Sequence, residues 1–128
     1  MVSWNNLDTL SSYKELADVK PACLTEVMSG DNGAERVKNY SIPMAAGLSY
    51  NYASKQVNEN VLAALEKLAD EAQLADKFKA LYNGEVVNTG EKRLVLHHMT
   101  RGQLGDAVEA DGVDKRTFYK TQQERIAE

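Results

Sequence analysis

Cysteine is almost missing from this 128-residue chain. Cys23 stands alone, so no disulfide can close within one molecule, and such usage fits a reducing compartment. Histidine and proline occur only twice each. With two histidines and one cysteine there are few nitrogen and sulfur ligands for a metal, and the adjacent His97 and His98 would point about 100° apart on a helix, unlike an i, i+4 pair. No metal site is therefore expected. Long apolar runs are also lacking, so nothing here is built to span a bilayer, and the opening MVSWNNLD has neither the basic flank nor the apolar stretch of a signal peptide. A cytoplasmic protein is expected. Finally, basic charge is not in excess. Fifteen Lys and Arg against nineteen Asp and Glu leave a net charge of −4, which argues against nucleic acid as a partner.

What is present reads as one domain over residues 1–128. Hydrophobic residues make up 43% of the chain, ordinary for a globular protein, and a domain of this size can bury about two-thirds of its unfolded surface. Asn6 offers a cap for a helix in which Leu7, Leu10, Tyr13, Leu16 and Ala17 share a face, and Lys20 before Pro21 should end it. A shorter helix is expected over Pro21 to Ser29 with Gly30 as its stop, followed by a turn at Asp31-Asn32-Gly33. The period then changes to two. Tyr40, Ile42 and Met44, and after them Leu48, Tyr50 and Tyr52, alternate with polar residues or proline around Ala45-Ala46-Gly47, which predicts a β-hairpin at about 37–53 lying against helices. Pro43 cannot donate to a ladder and belongs on an edge.

Helical spacing returns behind Asn58, with Val61, Leu62, Leu65, Leu68, Ala69 and Ala72 in one stripe. A second helix carries Phe78, Leu81 and Tyr82 to a stop at Gly84. A third is expected from Asn88, with Glu91 completing a capping box, to Gly102. A last helical pattern opens at Asp114, with Tyr119 beside Phe118 and Ile126 eight residues beyond, and reaches Glu128 without a stop signal. The fold class is mainly α with a small antiparallel β-hairpin.

Candidate site residues each have a plainer structural reading. Cys23 could be a reactive thiol but reads better as a buried apolar filler beside Leu24 and Val27. For His97 and His98, one ring is expected near Leu94 in the core and the other in solvent or on a neighbouring segment. Asp70, Glu71 and Asp76 alternate with Lys67, Lys77 and Lys79 as a solvated charged face. Ser54-Lys55 is a common dipeptide, not a nucleophile and base. Tyr40, Tyr50 and Tyr52 could stack sugars or bases, yet without interleaved basic residues they are expected to cover helices. Arg101 either satisfies helix-terminal carbonyls, the favoured reading, or pairs with a carboxylate elsewhere. The scattered glycines form no phosphate cradle. No catalytic, cofactor-binding or metal residue is assigned.

One stretch is more specific. Asn83 to Arg101 reads NGEVVNTGEKRLVLHHMTR and resembles a segment of the glucose-6-phosphate isomerase family of the form GE-x-IN-x-TE-x-RAVLH-x-ALR. Gly84, Glu85, Asn88, Glu91, Arg93, Val95, Leu96, His97 and Arg101 occupy matching positions. Tyr52-Ala53-Ser54-Lys55-Gln56 looks like a degraded form of the family's D-Y-S-K-N run, and Val61 to Ala75 like its following helix. Departures fall at Tyr52 and Ala53, where the family has Asp and Tyr, and at Met99-Thr100, where it has Ala-Leu. The likeness is good from Arg36 to Arg101, loose before it and poor after Gly102.

The resemblance implies the N-terminal segment of a larger α/β sugar isomerase that interconverts glucose 6-phosphate and fructose 6-phosphate through an enediol, without metal or organic cofactor. It further implies a homodimer when complete, acting in glycolysis and gluconeogenesis. The family's phosphate loop, of the form IGIGGS, does not occur in this sequence, so its active residues have no counterparts here. The fragment is expected to be inactive alone and to pack as a cap on absent sugar-phosphate domains. The rival expectation is a self-sufficient helical interaction module.

Overall fold

The computed structural model describes residues 2–102 and 105–128. Contacts divide the chain into two compact units, one of residues 7–68 and one of residues 1–6 with 69–128. Helices dominate both units, and the strands form three separate two-stranded antiparallel pairs among the described residues.

The unit of residues 7–68 begins with a 3₁₀ turn over Leu7–Thr9. Helix α1 follows at Ser11–Asp18 with Leu10 at its N-cap position, four residues after the expected Asn6 cap. Helix α2 is a single turn, Leu24–Val27, shorter than the expected span from Pro21 to Ser29. Gly30 does not stop a helix there. It opens α3, Gly30–Asn39, which absorbs the Asp31-Asn32-Gly33 sequence expected as a turn. Asp31 in the first turn and Arg36 and Lys38 in the last complement the helix dipole. At Gly33 a Cβ would run into the Met28 backbone, so this glycine marks close chain packing inside a helix.

The hairpin pairs β1, Ser41–Pro43, with β2, Ser49–Asn51, in the register Ser41 to Asn51, Ile42 to Tyr50 and Pro43 to Ser49. Its turn runs over Ala45–Gly47, with Ala46 in the left-handed region at φ 58°. Helix α4, Glu59–Glu71, starts behind Asn58, whose Oδ1 accepts the Val61 N–H at 3.0 Å.

Buried Arg36 organises this unit. Its Nε donates to the Ala53 carbonyl at 2.8 Å, and Nη2 donates to the carbonyls of Lys55 at 3.0 Å and Val57 at 2.8 Å. The guanidinium also lies 4.0 Å from the centroid of the Tyr40 ring. An arginine fork thus satisfies three carbonyls of the irregular segment leading into α4. Lys55 takes part through its backbone, consistent with a structural role for the Ser54-Lys55 pair.

The other unit carries α5, Leu74–Tyr82, which ends at Asn83 before Gly84 at φ +73°. The expected helix from Asn88 to Gly102 is not formed. Strand β3, Val86–Asn88, pairs with β4, Arg93–Leu94, and only His97–Arg101 then coils, as a 3₁₀ turn. Asn88 does accept the Glu91 N–H through Oδ1 at 3.1 Å, as the expected cap would, but Glu91 Oε2 accepts from the Asn88 side-chain Nδ2 at 3.3 Å in place of the Asn88 backbone N–H that a capping box uses. These bonds close a hairpin turn, with Lys92 at φ 54°, because an Asn side chain folded on its own backbone serves turns as well as helix starts.

A third pair, β5 at Glu109–Ala110 and β6 at Val113–Asp114, is joined by Asp111 and Gly112 at φ 54° and 72°. Positive φ at both central positions is what a two-residue hairpin turn of type I′ requires. Helix α6, Lys115–Ala127, follows directly. Phe118 and Ile126, which marked the helical pattern in the sequence, are exposed, and the buried residue of this helix is Arg116.

Candidate functional site

The stretch that carries the family resemblance folds entirely within one unit. Gly84 permits the left-handed step out of α5, and a Cβ there would collide with the Val108 side chain. β3 and β4 then turn the chain back, and the 3₁₀ turn places His97, His98, Thr100 and Arg101 around an open depression of about 310 Å³. The Thr100 hydroxyl donates to the His97 carbonyl at 2.8 Å and stiffens the turn. Met99, fully buried, anchors it.

His98 stacks on Tyr82 with ring centroids 4.8 Å apart. Arg116 lies 5.0 Å from the centroid of the same ring and donates through Nη2 to the Tyr82 carbonyl at 2.6 Å. Its Nε donates to the Asp106 carbonyl. His97 is exposed, so the two histidines have separate surroundings, and the inner one meets an aromatic ring, not the expected Leu94 face. Arg101 closes the 3₁₀ turn in solvent.

Asp114 anchors the start of α6. Its carboxylate accepts the Thr117 hydroxyl and the backbone N–H groups of Val108, Arg116 and Thr117. These bonds hold its pKa below the usual aspartate value, the Thr117 hydroxyl contributing most. One carboxylate therefore joins the end of the loop before β5 to the start of α6.

Other expectations from the sequence land elsewhere. Cys23 is exposed, and neighbouring Ala22 is the buried residue. Cys23 precedes α2 at its N-cap position, outside the turn whose apolar face it was expected to fill. Tyr40, Tyr50 and Tyr52 contact one another, tilted at 5.1 Å between Tyr40 and Tyr52 and stacked at 6.2 Å between Tyr50 and Tyr52, and Tyr50 and Tyr52 also line a groove with Leu62 and Leu65 of α4. Asp76 pairs with Lys79 at 3.5 Å on an exposed surface, a contact of small energetic weight. Asp70 lines an apolar groove with Leu74 and Phe78. Reading the sequence missed Arg36 and Arg116 as buried organisers. Neither has a local signal, because each serves carbonyls more than ten residues distant or at the far end of a loop.

Among the described residues, no helix is long and apolar enough to cross a membrane. The depression beside His97 has a mixed lining in which apolar surface exceeds polar. It offers no nucleophile hydrogen-bonded to a base, the arrangement covalent catalysis uses.

Comparison with known proteins explains such a scaffold. A family model described as phosphoglucose isomerase matches residues 51–128, reaching the last residue and passing well beyond the expected limit near Gly102. The glucose-6-phosphate isomerase of Treponema denticola is 42% identical over 132 residues, covering 99% of this chain and 25% of that protein. Similar relatives are the glucose-6-phosphate isomerases of Borreliella afzelii, 42% identical over 98% of this chain and 23% of theirs, and of Treponema pallidum, 43% identical over 98% and 24%. The chain spans about a quarter of the length of these curated relatives. With likeness along nearly its whole length and a matching family model over more than half of it, the chain belongs to the phosphoglucose isomerase family.

Proposed function

We propose that this chain is the N-terminal structural part of a glucose-6-phosphate isomerase and is catalytically silent alone. The observation that carries the reading is the pairing of 99% coverage of this chain with 25% coverage of the Treponema denticola relative. In the complete enzyme a carboxylate base would move a proton between adjacent carbons of the opened sugar phosphate through an enediol, with a cation steadying the oxyanion. Those groups lie in the three-quarters of the relatives that this chain does not match. The role of the residues present is to cap the sugar-phosphate domains of the same enzyme, which works as a homodimer in the cytoplasm, in glycolysis and gluconeogenesis.

The test is a coupled assay of fructose 6-phosphate conversion on two samples. The 128-residue chain should show no turnover above a heat-killed control. The Treponema denticola enzyme with its matching quarter replaced by this chain should show turnover. Activity of the isolated chain, or an inactive replacement that is folded, overturns the proposal.

A further inference from the structure

We infer that the apolar face of the β1–β2 ribbon is the docking surface for the body of the isomerase, the part of the family's chain that lies outside the matched quarter; this rests on the family reading above. Side chains alternate along a strand, and Ile42 pairs with Tyr50. Met44, two residues after Ile42, and Leu48, two before Tyr50, therefore fall on the same face, tied by the Met44 N–H donating to the Leu48 carbonyl at 2.8 Å. All four are exposed, Leu48 to 65% and Met44 to 55%.

Single exposed apolar side chains are normal, whereas four on one face of a ribbon form a contiguous patch of the kind that marks an interface. A two-stranded ribbon is also marginal by itself in water, so this one needs a cover. A groove of about 340 Å³ extends the patch, lined from the ribbon by Ile42 and Tyr50 and from α4 by Leu62 and Leu65. Exposed Lys55 is its one charged residue among the described lining positions. The groove therefore fits an apolar ridge flanked by a carboxylate.

The occupant follows from the comparison of lengths. Relatives that match almost all of this chain continue for about three times as much again, and that additional chain is the one partner whose existence the match itself implies. A second copy would instead bring together two chains of net charge −4.

The test co-expresses this chain, tagged, with the portion of the Treponema denticola isomerase outside the matched segment, and measures recovery of that portion. The wild-type chain and an Ile126→Glu control, altered at an exposed apolar residue of the other unit, should recover it equally. The double variant Ile42→Glu, Leu48→Glu should recover at least about tenfold less, equivalent to about 1.4 kcal/mol, while keeping the wild-type circular dichroism. Failure of the wild-type chain to recover the portion overturns the inference, as does equal recovery by the double variant. A wild-type dimer that the double variant dissociates, seen by sedimentation, also overturns it by seating a second copy on the face. Isomerase activity of the recovered complex is read separately. A complex that forms, is broken by the ribbon substitutions and is inactive leaves the docking surface standing and removes the isomerase reading.

Discussion

Arg116 holds Tyr82 twice, by a 2.6 Å hydrogen bond from Nη2 to its carbonyl and by a guanidinium lying 5.0 Å from its ring centroid. The pair joins the end of α5 to the start of α6, and His98 stacks against the same Tyr82 ring. The family motif is thereby fixed in place by a residue outside it.

Replacing Arg116 by Met should destabilise the chain by about 2–4 kcal/mol, because the Asp106 and Tyr82 carbonyls lose their donor while largely shielded from water. Urea denaturation followed by tyrosine fluorescence measures this. A loss under about 0.5 kcal/mol would show that the guanidinium is incidental to stability.

In the other unit, Arg36→Lys should cost about 1–3 kcal/mol despite keeping the charge. One ammonium cannot reproduce a fork that reaches Ala53, Lys55 and Val57 together. Hydrogen exchange of amides over residues 53–58 should accelerate in the variant; unchanged protection there would contradict the assigned role.

Gly84→Ala should destabilise by about 1–3 kcal/mol, combining left-handed backbone strain with a clash against Val108. Pairing it with Val108→Ala should recover part of the loss, which a double-mutant cycle measures. Strict additivity would mean that the clash is relieved elsewhere.

Asp114 gives stability a defined acid dependence. Its folded pKa lies below the ordinary value, so near and below that ordinary value the unfolded chain binds the proton more readily. The stabilisation is present above the unfolded pKa and is lost as pH falls through the folded pKa. Asp114→Asn should flatten the acid limb of the denaturation midpoint plotted against pH. An identical acid limb in the variant would assign that limb to other carboxylates.

Where the sequence was legible, the signals were local. Asn58 caps α4, Asp114 caps α6, and the alternation around Ala45–Gly47 gives the first hairpin, as the spacing predicts. Where it misled, one signal served two conformations. Asn88 Oδ1 accepts the Glu91 N–H in a hairpin turn just as it would at a helix start, and the Asp31-Asn32-Gly33 sequence expected as a turn lies inside α3, where Gly33 packs close against the Met28 backbone. The Asp111-Gly112 turn was readable from its dipeptide but lay in a tail with little apolar patterning around it.

Residue identity alone determined the family, the predominance of helix and the exclusion of a disulfide within one molecule, because motif positions, hydrophobic periods and a single cysteine are read directly along the chain. The tertiary structure decided that Arg36 and Arg116 are interior organisers, that Cys23 faces solvent and that the ribbon's apolar face stays open. Those outcomes depend on which distant carbonyls need donors and on which surfaces find a partner, and neither is set by residues adjacent in sequence.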